Sequence, residues 1–200
     1  MTRAEARRQR RQDELRAEIL AAARDLFATL GYETFSIRTL AKRIDCSPAT
    51  IYLHFTDKYE LFEYLVEDSF ERLSAALRKL DLDRGDPLQL LKQAARIYVD
   101  FGLGNRTAYE FAFILRPTLR RPTRWKPHAA FQILRDLVKR CIAEHRFGPL
   151  DVELTSQAFW AAIHGVTALL ITRPSFPWVD RNALIGRVVD SAIDSLVASP

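Results

Sequence analysis

Residues 47–55 read SPATIYLHF and bring a Ser-Pro start, two aromatics and a His close together. Such a stretch can be core, a metal or catalytic site built on His54, or a surface made to touch a partner. The four histidines, His54, His128, His145 and His164, show no ligand spacing and no acidic cluster beside them, so no metal is expected. Nothing resembles a nucleophile–base pair, a phosphate loop or a paired-carboxylate site, and Asp81 and Asp83 read as loop acids. No cofactor and no catalysis are therefore expected. The contact surface remains. Ile51 and Phe55 lie four apart and can pack inward, which leaves Ala49, Thr50, Tyr52, Leu53 and His54 on the outer arc. Small residues at the start of this segment permit close approach to base edges, where Thr50 offers a hydroxyl and a methyl. Tyr52 and His54 can reach phosphate oxygens, and the helix N-terminus adds its dipole.

A second constellation, FWAAIHGVTALLI (159–171), places Trp160 and His164 four apart on one helical face, followed by Gly165. A Gly inside a helix costs about 1 kcal/mol against Ala, which predicts close packing against another backbone. His164 fits a hydrogen-bonded core histidine or a ligand contact. The surrounding aromatics (Tyr98, Phe101, Tyr109, Phe111, Phe113, Trp125, Phe131, Phe159, Trp160) belong to a core or line a pocket for an apolar or aromatic effector. Two cysteines, Cys46 and Cys141, are too few and too far apart for a disulfide framework or zinc site. Cys46 suits a redox switch or simple packing.

The elements that must position these residues are helical. Only 7 glycines and 9 prolines in 200 residues, with many Ala, Leu and Arg, predict an all-α chain of about nine helices. Helical spacing runs from Asp13 to Leu30, and Gly31 stands where a C-terminal cap is expected. Ser36 caps a short helix over 37–44, Asp45-Cys46 makes a tight turn, and Ser47 with Pro48 opens a third helix to about His54. A fourth helix spans about 57–80. The sequence LDLDRGDP (80–87) is the expected hinge. Further helices are expected over about 87–103, 106–115, 126–147, 151–172 and 181–197. The organisation is then a basic arm (1–12), a helix-turn-helix domain (13–80, motif about 36–55) and a helical bundle (81–200).

Net charge is +5, and residues 1–12 alone hold five arginines against Glu5. A second basic stretch runs from Arg116 to Arg146. Basic arms meet phosphate backbones or are simply solvated. The apolar run 158–171 is interrupted by His164, Gly165 and two threonines, so no membrane span is expected. The charged N-terminus lacks the apolar stretch of a secretory signal, which points to the cytoplasm.

The stretch Ile19–Phe62 resembles the DNA-binding domain of the TetR family of transcriptional regulators. It carries the Leu-Phe…Gly-Tyr end of the first helix, the Ile-x-x-Leu-Ala second helix, the Ser-x-x-Thr-Ile-Tyr-x-His-Phe recognition helix, and Lys58 and Leu61. The resemblance implies a homodimer that lays two recognition helices in successive major grooves of a palindromic operator. Ser36 would hold phosphate, with Arg38 in the same DNA-facing set. Ser47, Ala49 and Thr50 would face bases or nearby backbone, Tyr52, His54 and Lys58 would contact phosphates, and Leu53 would meet a thymine methyl. Asp45 replaces the family's usual turn Gly and tolerates a left-handed backbone better than most residues. Trp160, His164 and Gly165 resemble a TetR subgroup marked by Trp-x-x-x-His-Gly. That resemblance implies a C-terminal effector-binding domain that dimerises through its last two helices, with Tyr98, Phe101, Tyr109, Phe113, Trp125, Phe131, Trp160 and His164 about the effector. The expected function is a ligand-responsive repressor. The alternatives are a sequence-independent DNA-binding protein, which suits the basic arm, and a helical-bundle carrier or enzyme.

Overall fold

The computed structural model of the protein describes residues 2–114 and 128–197, except the side chain of residue 111. Expectations that fall on the Pro-rich basic segment 116–127, Trp125 among them, lie outside the described residues. Helices are α1 (Arg3–Thr34), α2 (Ile37–Arg43), α3 (Pro48–Tyr52), α4 (Lys58–Leu77), α5 (Pro87–Gly104), α6 (Arg106–Tyr109), α7 (Ala129–Ala143), α8 (Val152–Thr172) and α9 (Arg181–Asp194). A π-helical turn, Glu110–Ile114, follows α6. Among the described residues there is no strand, only an isolated antiparallel bridge between Phe147 and Val197.

Two differences from the sequence expectation have local causes. The first helix starts at Arg3 rather than Asp13, because Thr2 and Glu5 form a reciprocal capping box over residues read as an arm. Thr2 N–H donates to Glu5 Oε2 at 2.6 Å, and Glu5 N–H donates to Thr2 Oγ1 at 3.2 Å. Gly31 does break the helix where expected, at φ +75°, and three more residues turn before Phe35. At the other end, α7 stops at Ala143 rather than 147, since His145 takes a left-handed backbone at φ +56°.

The chain forms two compact units, with their boundary in α4 between Ser69 and Phe70 and again after Tyr109. In the first, Ile19, Ala23 and Phe27 of α1 bury against Ile37 and Leu40 of α2, with Ile51, Phe55, Leu61, Phe62 and Leu65. Phe27 stacks on Phe35 at 3.9 Å between ring centroids and meets Phe62 edge-on at 5.5 Å. The Arg24–Asp68 pair at 2.9 Å ties α1 to α4.

In the second unit α5 packs on α7, α8 and α9, and α8 packs on α7 and α9. Its core takes Leu91, Ala95 and Val99 from α5, Leu137, Val138 and Cys141 from α7, Phe159, Ile163 and Leu170 from α8, and Ile185, Val189 and Ile193 from α9. By length and composition α8 could cross a membrane. Its packing against three helices is that of a core helix. Gly102 of α5 is where two helices close most tightly: a Cβ there would sit 2.5 Å from Thr167 Cγ2 and 2.8 Å from Tyr109 Cδ2. Gly165, expected to pack on a neighbouring backbone, does not do so within this chain, since a Cβ there meets no atom within 4 Å.

Candidate nucleic-acid interface and effector cavity

The short helices α2 and α3 are each opened by the same device. Ser36 Oγ accepts from Thr39 N–H at 3.1 Å and lies 2.8 Å from Thr39 Oγ1. Ser47 Oγ accepts from Thr50 N–H at 3.1 Å and lies 2.9 Å from Thr50 Oγ1. Each cap is worth about 1 kcal/mol, a large share for helices this short. Pro48 takes the first helical position of α3, where a missing N–H costs nothing. Between the helices Asp45 adopts φ +52°, the left-handed turn expected of it in place of Gly.

This frame sorts the letters of SPATIYLHF. Ile51 and Phe55 are buried, while Ser47, Ala49, Tyr52 and Leu53 are exposed and Thr50 and His54 are half-buried. Leu53, at 84% exposure, is an apolar side chain held in water. Arg38 is exposed on α2, and Lys42 and Arg43 lie in its last turn, where cations suit the helix dipole.

The far end of α3 is held by a residue that sequence reasoning missed. Arg16 of α1 stacks its guanidinium over Phe55 and Tyr64, 4.6 and 4.7 Å from the ring centroids. It also donates from Nη1 to the His54 carbonyl at 3.4 Å. Its signal was available: Arg16 lies three residues before the buried Ile19, on the core-facing side of the helix.

Lys58, expected on phosphate, is turned inward. Its Nζ donates to the carbonyls of Tyr32 at 3.1 Å and Phe35 at 3.4 Å, and it sits 4.5 Å from the Tyr32 ring centroid. Those carbonyls are exposed by the Gly31 break, and an ammonium with three donors satisfies them. Burial, then the charges of Glu18 and Asp45, push the Cys46 thiol up, which disfavours the thiolate a redox switch needs. Burial likewise pushes Cys141 up to about 12. Among the described residues no group of His, Cys, Asp and Glu could hold a metal ion.

In the second unit a cavity of about 400 Å³ is lined by Phe131, Gln157, Trp160, Ala161 and His164. Four of these are spaced i, i+3, i+4, i+7 along one face of α8. Phe131, from α7, meets Trp160 edge-on at 5.7 Å. Behind the lining a chain of polar groups links α5, α6 and α8. Trp160 Nε1–H donates to Tyr98 Oη at 3.2 Å, and Tyr98 Oη lies 3.4 Å from Tyr109 Oη. Tyr109 Oη is 2.6 Å and Tyr98 Oη 3.0 Å from His164 Nδ1. A separation of 2.6 Å falls in the range of hydroxyl donors and below that of ring N–H donors, so Tyr109 donates and Nδ1 accepts. Burial pulls the His164 pKa below its ordinary value, in keeping with a neutral, accepting ring. Burial also raises both phenols, Tyr98 to about 12.

The expected pocket set is thus corrected in part. Phe131, Trp160 and His164 line the cavity. Tyr98 and Tyr109 do not; they are buried behind it, their hydroxyls directed at the lining residues. Phe101 and Phe113 are half-buried and do not line it either. Gln157 and Ala161 were missed because they are not aromatic, although their spacing from Trp160 and His164 marks them.

Similarity to known proteins agrees with this division. Residues 19–65 match the family model of bacterial regulatory proteins, tetR family, and residues 91–196 match that of the tetracyclin repressor-like C-terminal domain. The HTH-type transcriptional activator FasR of Mycolicibacterium smegmatis is 24% identical over 160 residues, covering 74% of this chain and 73% of the relative. The HTH-type transcriptional repressor KstR of the same organism is 33% identical over 87 residues, 44% of this chain and 40% of the relative. A crystal structure of a tetR-family regulatory protein from Rhodococcus RHA1 superposes with a TM-score of 0.71 at 21% identity, over 92% of this chain and 97% of that one.

Proposed function

Since the chain belongs to the TetR family of bacterial regulatory proteins and is a DNA-binding transcriptional regulator, we propose that it acts as a ligand-responsive repressor. It binds a palindromic operator as a homodimer and releases it when a small apolar or aromatic effector enters the α7–α8 cavity. The observation that carries the DNA-reading assignment is the outer face of α3. Ala49, Tyr52 and Leu53 are exposed there, on a helix fixed from behind by Ile51, Phe55 and Arg16. An exposed Leu such as Leu53 costs little in a groove that offers thymine methyls. Ser36, Arg38, Ser47, Thr50 and His54 complete the DNA-facing set. The first buried residue of α1 is Ile19, so Arg3, Arg7, Arg8, Arg10 and Arg11 stand on an exposed helical extension suited to phosphate contact.

Dimerisation through α8 and α9 is supported by what those helices leave uncovered. Leu154 and Leu169 are exposed on α8, and the open space over Gly165 and Ala161 leaves room for a second backbone. Because α4 runs through the boundary of the two units, it is the element through which effector occupancy reaches α3. An effector acts only by its preference for one conformation. The working compartment is the cytoplasm, on the nucleoid when bound to DNA. Footprinting on the DNA upstream of this protein's own gene tests the reading. A protected palindrome, lost on adding effector, is expected; protection without a boundary would favour sequence-independent binding through the basic extension.

A further inference from the structure

We propose that the cavity selects an uncharged effector with an apolar or aromatic body and a carbonyl-type hydrogen-bond acceptor, which His164 reads through its Nε2–H. This rests on the reading of the cavity as the effector site. The ordering of protons behind the wall carries it. Trp160 spends its indole N–H on Tyr98, and Tyr109 delivers its hydroxyl proton to His164 Nδ1. With Nδ1 accepting, the ring's single proton sits on Nε2, so this cavity-lining ring acts as a donor. Gln157, the other polar lining residue, gives its amide Nε2–H to Glu153 at 2.9 Å and lies on the exposed rim. Among the described residues no Lys, Arg, Asp or Glu lines the cavity, so a charged effector would lose hydration there without a counter-charge. The remaining walls, Phe131, Ala161 and the faces of Trp160, suit a flat apolar body. Tyr98 and Tyr109 act as positioning residues, because they fix the tautomer rather than touch the effector.

The test uses three probes of one shape in equilibrium dialysis against the full chain: benzophenone, diphenylmethane, which lacks the acceptor, and 4-benzoylbenzoate, which adds a charge. Benzophenone should bind about tenfold more tightly than either of the others. His164→Asn keeps an acceptor for Tyr109 while withdrawing the donor from the cavity, and it should bring benzophenone and diphenylmethane within about twofold. Equal binding of that pair to the unaltered protein, or a preference that survives in H164N, would overturn the inference and leave the effector cavity standing. Tighter binding of the carboxylate would overturn the uncharged class. Failure of all three to bind would remove the cavity reading and the inference together. Should H164N not fold, the comparison on the unaltered protein still decides.

Discussion

At the scale of single residues, Arg16 and Lys58 are cations used to hold structure that then meets DNA. Arg16→Ala removes the guanidinium from between Phe55 and Tyr64. It should cost about 1 kcal/mol of stability in thermal melts and weaken operator binding, since the end of α3 loses its stay. Full operator affinity in R16A would contradict that role. Lys58→Ala should lower the melting temperature by uncovering the Tyr32 and Phe35 carbonyls. If the remaining ammonium donor also reaches a phosphate, the same variant makes the salt dependence of binding shallower by roughly one unit, on any DNA. Thr50→Ala differs: it should weaken a cognate operator more than random DNA, by about 1–3 kcal/mol in anisotropy titrations. The His164 pKa is depressed by burial from its ordinary 6.5. The unfolded chain therefore takes up the proton first, and stability present above pH 6.5 is lost as pH falls through the folded value. H164N should flatten that acid-side fall in melting temperature. The roles of Ser47, Ile51, Phe55 and Asp45 were legible in the sequence because caps, i+4 burial and a strained turn are local. The inward turn of Lys58 was not, because it answers two carbonyls more than twenty residues away.

At the scale of elements, the helices were legible wherever periodicity and capping agreed. Leu61, Phe62, Leu65, Val66, Phe70, Leu73 and Leu77, read as one face of the fourth helix, are all buried. Errors came at ends. A capping box at Thr2 and Glu5 extended α1 over charges that look like a disordered arm, and the left-handed His145 cut α7 short. Helical periodicity also could not tell a lining residue from one behind it, which is why Tyr98 and Tyr109 were placed in the cavity. The closest approach of α5 to α8 turns on Gly102. Gly102→Ala should cost about 1–3 kcal/mol in denaturant melts, because the methyl displaces Thr167 and the Tyr109 ring. It should also disturb the Tyr109–His164 bond. An unchanged melting midpoint would mean that α5 and α8 separate freely.

At the scale of the whole molecule, the account joins a DNA-reading unit to an effector-binding unit through one continuous helix, and doubles the pair by symmetry. The first half of that was legible because the helix-turn-helix is compact in sequence, from Ser36 to Phe55. The cavity was not, because its chemistry depends on hydroxyls of α5 and α6 meeting a ring of α8 some sixty residues later. The central claim is that α3 reads sequence. Its most direct measurement is the ratio of affinities for an operator selected from random DNA and for a scrambled duplex of equal length, at one salt concentration. A ratio of about a thousand or more is expected, at two chains per operator. A ratio near one would contradict the account and leave a protein that holds DNA by charge alone.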